Sequence, residues 1–161
     1  MRIIVEIPQR ILRGLEERAK LSEKSLEEII LETLAEQVYP GDPEAKEELH
    51  LKLSEKYLRE AEELLSKGDL AQASEKGWGA AAQMVKAVAA KKGKELGSHE
   101  MLWEFVEELS KGMGDRELLT LWHVANSLHT NFYESWAPPE FVKKGLEDIT
   151  RFIEKLKSLQ K

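Results

Sequence analysis

One histidine and its neighbours on a predicted helix are the residues of this chain best suited to chemistry. Trp122, Asn126, His129 and Tyr133 follow one another at the spacing i, i+4, i+7 and i+11. At about 100° per residue, this spacing places all four on one face of a helix. An imidazole titrates near neutral pH and can move a proton, while an amide and a phenol can donate hydrogen bonds. His129 is therefore the candidate catalytic residue.

A second histidine on the same helix points elsewhere. His123 lies about 120° around the helix from His129, so within one chain the two imidazoles diverge and could meet only across a dimer interface. Two other interpretations of this helix stay open: a hydrogen-bonded polar patch at a dimer seam, and ligand binding without catalysis. The candidate binding residues are Trp122, His123, Asn126, Asn131, Tyr133 and Glu134.

Composition excludes several classes of protein. The 161 residues contain no Cys, so no disulfide, thiolate metal site or Cys nucleophile is available, and we expect neither a metal nor a cofactor. No apolar run approaches the roughly 18 residues that span a bilayer, which predicts a cytoplasmic protein without a membrane partner. A net charge of −6 argues against a broad nucleic-acid surface, although a small local site for RNA or a nucleotide is compatible with it. The abundance of Glu and Lys is typical of thermophiles.

The sequence pattern of residues 1–39 predicts a dimerisation segment. Residues 1–7 are β-branched and alternate, which predicts a short strand, and two helical patterns follow it, the second capped by Ser25. A strand followed by two helices over residues 2–38 resembles the ribbon-helix-helix family, in which strands of two chains pair and their outward residues enter a DNA groove. A lone strand cannot satisfy its own backbone, so we expect a homodimer. The outward residues, which would contact DNA in this interpretation, are Arg2, Ile4 and Glu6.

Residues 49–161 are predicted to form an all-α bundle of five helices, after a linker over residues 40–48. Apolar residues recur at helical spacing, and Gly, Pro and Ser residues separate the segments. The second predicted helix, near residues 70–91, is rich in Gly and Ala, which predicts that a neighbouring helix approaches its backbone closely. Five helices joined by short loops favour an up-and-down bundle.

Three stretches of this bundle carry a family resemblance. They begin with YLREAEELLSKGDLAQASEKGWGAAAQMVKAVAAKKG, continue with SHEMLWEFVEEL and end with LWHVANSLHTNFYESWAPPE. Together they resemble the PaREP family of archaeal proteins, a branch of the HEPN superfamily, over about residues 50–157. The resemblance implies a helical-bundle homodimer. Many HEPN proteins are metal-independent ribonucleases of toxin–antitoxin or defence systems, and others bind nucleotides beside a nucleotidyltransferase partner.

The match to the nuclease motif is incomplete. His129 matches the HEPN histidine, but the positions where the motif places its Arg hold Trp122, His123 and Val124. We therefore expect at most a weak metal-independent ribonuclease. The predicted function is a HEPN-like dimer that binds RNA or a nucleotide, in a toxin–antitoxin or defence module with an antitoxin or nucleotidyltransferase partner. The alternatives are a ribbon-helix-helix transcription regulator and a non-catalytic structural dimer.

Overall fold

The chain forms two compact helical units in a computed structural model that describes residues 1–160. Unit 1 comprises Met1–Asp42, and unit 2 begins at Pro43. The described residues contain seven α-helices and a terminal 3₁₀-helix but no strand, which confirms the all-α class. Within them, no helix is long and apolar enough to cross a membrane.

Unit 1 contains the two predicted helices without the predicted strand. Helix α1 spans Gln9–Leu21 and α2 spans Leu26–Val38, with the Ser25 side chain accepting a hydrogen bond from the Glu28 backbone N–H at 3.1 Å. The prediction of a strand over residues 1–7 is wrong for this chain, because a strand needs a hydrogen-bonded neighbour and one short segment supplies none to itself. The three residues that would contact DNA in the ribbon-helix-helix interpretation lie exposed in this non-helical segment: Arg2, Ile4 and Glu6.

Unit 2 contains five α-helices. In chain order they are α3 (Pro43–Ser66), α4 (Leu70–Lys91), α5 (His99–Met113), α6 (Glu117–Glu134) and α7 (Pro139–Lys157), followed by the 3₁₀-helix Ser158–Gln160. Residues 43–48, which we expected in a linker, form the first turns of α3. Proline suits the first turn of a helix, so Pro43 begins a helix here instead of breaking one.

Helix α4 packs against each of the other four helices of unit 2. Its small residues make this possible, since a Cβ atom at Gly77 would lie 2.5 Å from Leu146 Cδ2 and 3.3 Å from Leu128 Cδ1. A glycine on α7 has the same role: a Cβ atom at Gly145 would lie 2.9 Å from Leu128 Cδ2. The Gly/Ala content therefore sets how closely α4, α6 and α7 approach one another.

An ionic network fixes the start of α6 against α7. Lys155 Nζ lies 2.7 Å from Asp115 Oδ2 and 2.9 Å from Glu117 Oε2, and Arg151 also pairs with Glu117. The hydrogen bond from Lys155 lowers the pKa of Asp115, and the bonds to Asp115 and Glu117 raise the pKa of Lys155. The network helps to hold in place the helix that carries His129.

Candidate functional site

His129 is held by a carboxylate of the central helix. Its Nδ1 lies 2.9 Å from Glu75 Oε2, which joins α6 to α4, and the two side chains are 20% and 31% exposed. Because a carboxylate only accepts hydrogen bonds, Nδ1 carries the hydrogen of this bond. In the neutral ring Nε2 is then the nitrogen with a lone pair. Glu75 therefore fixes the tautomer of an imidazole that solvent can still reach.

Three further rings surround His129. The indole of Trp78 stacks on it, with ring centroids 4.8 Å apart and planes at 29°. His99, in the first turn of α5, lies edge-on at 5.2 Å and also meets Trp78 at 5.5 Å. Tyr133 lies edge-on at 5.3 Å and is 72% exposed. We call Glu75, Trp78, His99, His129 and Tyr133 the imidazole cluster. It brings together two groups that can transfer protons, one carboxylate and one exposed stacking surface.

Two of the residues predicted to share the face of His129 serve the helix packing. Trp122 is completely buried and contacts Trp78 of α4 at 5.1 Å between ring centroids. Its indole Nε1 has no hydrogen-bond partner among the described residues. Asn126 is half-buried and donates through Nδ2 to the Trp122 carbonyl, 2.8 Å away in its own helix. Neither side chain belongs to the imidazole cluster.

The other predicted binding residues lie apart from the cluster. Asn131 is 1% exposed; its Nδ2 donates to Ser74 Oγ at 2.9 Å, and its Oδ1 accepts from the Ala137 backbone N–H at 2.8 Å. Such a doubly bonded buried amide fixes the turn between α6 and α7. His123 is exposed and meets the Trp103 ring of α5 at 4.8 Å. Glu134 is exposed at the end of α6.

Sequence reasoning missed three members of the cluster. They are Glu75 and Trp78 on α4 and His99 at the start of α5. Trp78 is buried, but its ring also contacts the imidazoles of both His99 and His129. A local signal did exist for part of this group, because Glu75 and Trp78 are three residues apart and so share a face of α4.

Comparison with other proteins places the chain in a family. Neither the curated proteins nor the solved structures gave a significant match. Residues 49–153 match the archaeal PaREP1/PaREP8 family, and this range covers α4, α5 and α6 entirely and most of α3 and α7. The matched range thus includes every residue of the imidazole cluster and more than half of the sequence. The chain belongs to the archaeal PaREP1/PaREP8 family.

Proposed function

We propose that unit 2 is a HEPN-like bundle that binds RNA or a nucleotide at the imidazole cluster. The observation that carries this proposal is the 2.9 Å bond between Glu75 and His129, with the second imidazole of His99 at 5.2 Å. A protonated imidazole donates hydrogen bonds from both ring nitrogens and carries a positive charge, so it can keep a carboxylate partner and also bind a phosphate oxygen. Two of them side by side can therefore hold a phosphate group without an arginine.

The exposed ring of Tyr133 suits the base of the same ligand. Aromatic side chains stack on unpaired bases, and each such contact contributes about 1–3 kcal/mol. Because Tyr133 adjoins His129 and is 72% exposed, one nucleotide could present its phosphate to the imidazoles and its base to the phenol ring. This arrangement favours a single-stranded RNA or a free nucleotide over a duplex, whose bases are already stacked.

Cleavage of the RNA is the weaker part of the proposal. Removal of a 2′-hydroxyl proton needs a general base, and the imidazole of His129, oriented by Glu75, can accept a proton at Nε2. Stabilisation of the developing phosphate charge needs a cation or a positioned donor. The imidazole cluster contains no Arg or Lys, so any catalysis would depend on a protonated His99. We propose binding first, with at most weak metal-independent cleavage.

Binding is tested with a fluorescently labelled single-stranded RNA oligonucleotide and with ATP, followed by anisotropy and calorimetry. We expect His129→Ala to remove binding, and Tyr133→Ala to weaken it roughly tenfold because a stacking contact is lost. His123→Ala is the matched control, since it changes an exposed histidine of the same helix that packs on Trp103. Absence of binding to both probes, or equal loss in the control variant, would refute the proposal.

Cleavage is tested by incubating the RNA with wild-type protein and with His129→Ala in the presence of EDTA. A cleavage rate that falls in the variant but not in His123→Ala would assign the chemistry to the cluster. Equal and negligible cleavage by wild type and variant would confine the function to binding.

We also propose that two chains associate through unit 1. Of the thirteen large apolar side chains that are exposed among the described residues, ten lie between Met1 and Tyr39. Ile3, Ile4 and Val5 are 73%, 84% and 73% exposed. A segment of about 40 residues rarely buries its apolar surface by itself, and a second copy of unit 1 would cover it.

The dimer is tested by the mass of the full-length protein in solution, measured by light scattering. We expect a dimer for wild type and a monomer for the double variant Ile3→Ser/Val5→Ser. Met101→Ser, which replaces a 41% exposed apolar residue of unit 2, is the control and should remain dimeric. A wild-type monomer would contradict the proposal.

A further inference from the structure

Two histidines of unit 2 that are distant in sequence, His99 and His129, have their rings in contact. His99 opens α5 and His129 lies near the end of α6, and their ring centroids are 5.2 Å apart. Trp78 contacts both rings, at 5.5 Å and 4.8 Å, and is itself only 6% exposed. A buried indole therefore holds both imidazoles side by side while they remain accessible from solvent.

The separation of these rings, 5.2 Å between centroids, is compatible with two imidazoles bound to one metal ion. Zinc binds a histidine nitrogen at about 2.0–2.1 Å, so two histidines at tetrahedral angles on one ion have ring centroids about 5 Å apart. The contact of Glu75 with His129 fits the same chemistry. A histidine ligand commonly donates its other N–H to a carboxylate, which fixes the tautomer and makes the ligating nitrogen more basic. Glu75 makes this bond to Nδ1, and Nε2 of His129 is then the ligand atom.

We propose that His99 and His129 bind a transition-metal ion of the class that prefers imidazole: Zn²⁺, Ni²⁺ or Cu²⁺. Glu75 is the positioning residue that orients His129, and water completes the coordination. The hard ions Mg²⁺ and Ca²⁺ prefer oxygen ligands and would not bind to this pair. The low exposure of His129, at 20%, limits competition from water on one side of the ion. This metal site does not depend on the binding of RNA or a nucleotide.

Single substitutions of histidines in unit 2 test the metal site. Zn²⁺ and, separately, Ni²⁺ are titrated calorimetrically into the tag-free full-length protein. We expect one ion per chain for wild type, and loss of binding in both His99→Ala and His129→Ala. His123→Ala should bind as wild type does, because His123 packs on Trp103.

Two further measurements separate ligation from a general loss of structure. Glu75→Gln should keep the stoichiometry and weaken affinity roughly 10- to 100-fold, because the carboxylate that orients a metal-binding histidine is lost. Affinity should also fall in acidic buffer, because a protonated imidazole has no lone pair for a metal ion. His99 is exposed in the first turn of α5, so His99→Ala should retain the far-UV circular dichroism spectrum of wild type.

Several results would overturn the metal site. They are the absence of binding to wild type, binding that survives in His99→Ala with a wild-type spectrum, and equal loss in His123→Ala. Failure of RNA and nucleotide binding would leave the metal site unaffected, since the titration contains neither probe.

Discussion

Replacement of Asn131 by alanine should destabilise unit 2 even though this residue appeared from sequence to belong to a binding site. The Asn131 side chain is 1% exposed and bridges two parts of the fold. Its Oδ1 accepts a hydrogen bond from the Ala137 N–H at 2.8 Å, and its Nδ2 donates to Ser74 Oγ at 2.9 Å. These bonds tie the α6–α7 turn to α4.

The expected loss can be worked out from these two bonds. Asn131→Ala leaves the buried Ala137 N–H without an acceptor, which costs about 1–3 kcal/mol. Ser74 Oγ keeps its own bond to the Leu70 carbonyl at 2.7 Å, so the loss on that side is nearer to one ordinary hydrogen bond, about 1 kcal/mol. We therefore expect Asn131→Ala to lower the free energy of unfolding by about 3 kcal/mol in total. A cavity at this closely packed position acts in the same direction.

Guanidinium unfolding followed by tryptophan fluorescence measures this loss in unit 2 specifically, because all four tryptophans lie between residues 78 and 136. Asn126→Ala is the matched control on the same helix, since its Nδ2 bonds only to a carbonyl of its own helix, that of Trp122. We expect the control to change stability by no more than about 0.5 kcal/mol. Equal small losses in the two variants would refute the assignment of Asn131 to structure.

Two other predictions concern the packing and the charges of unit 2. Gly77→Ala should destabilise the protein by about 1 kcal/mol, because overpacking against buried Leu146 outweighs the better helix propensity of alanine. Gly112→Ala is the control, since nothing lies within 4 Å of the added Cβ atom, and it should be neutral or stabilising in the same unfolding assay. Because the pKa of Asp115 is lowered in the folded state, its pairing with Lys155 stabilises the fold fully above the ordinary Asp pKa, about 3.9. This contribution disappears as the pH falls through the lower pKa that Asp115 has in the folded protein. The raised pKa of Lys155 predicts that its contribution is complete below its ordinary pKa, about 10.4, and disappears as pH rises through the higher folded value. Wild type should therefore exceed Lys155→Met in stability near neutral pH, and the difference should shrink in strong acid; a constant difference would contradict this.

The helices of unit 2 could be predicted from sequence because their signals are local. Helix α4 begins after Asp69, whose side chain accepts the Gln72 N–H at 3.2 Å, and α5 begins after Ser98, which does the same for Met101. Such caps and the apolar periodicity act within a few residues, so they are visible without a fold. The strand over residues 1–7 could not be decided in this way, because a strand is completed by a partner that lies elsewhere.

The sequence by itself determined that the chain is helical, that it belongs in its matched range to one family, and that His129 lies on the same helix face as Trp122. Only the tertiary structure decided what His129 meets. Glu75 precedes it by 54 residues and His99 by 30, and no periodicity within one helix connects such positions. They come together because the small residues of α4 let α6 pack closely against it. The same packing buried Asn131, so a residue that looked like a ligand contact became part of the structure around the site.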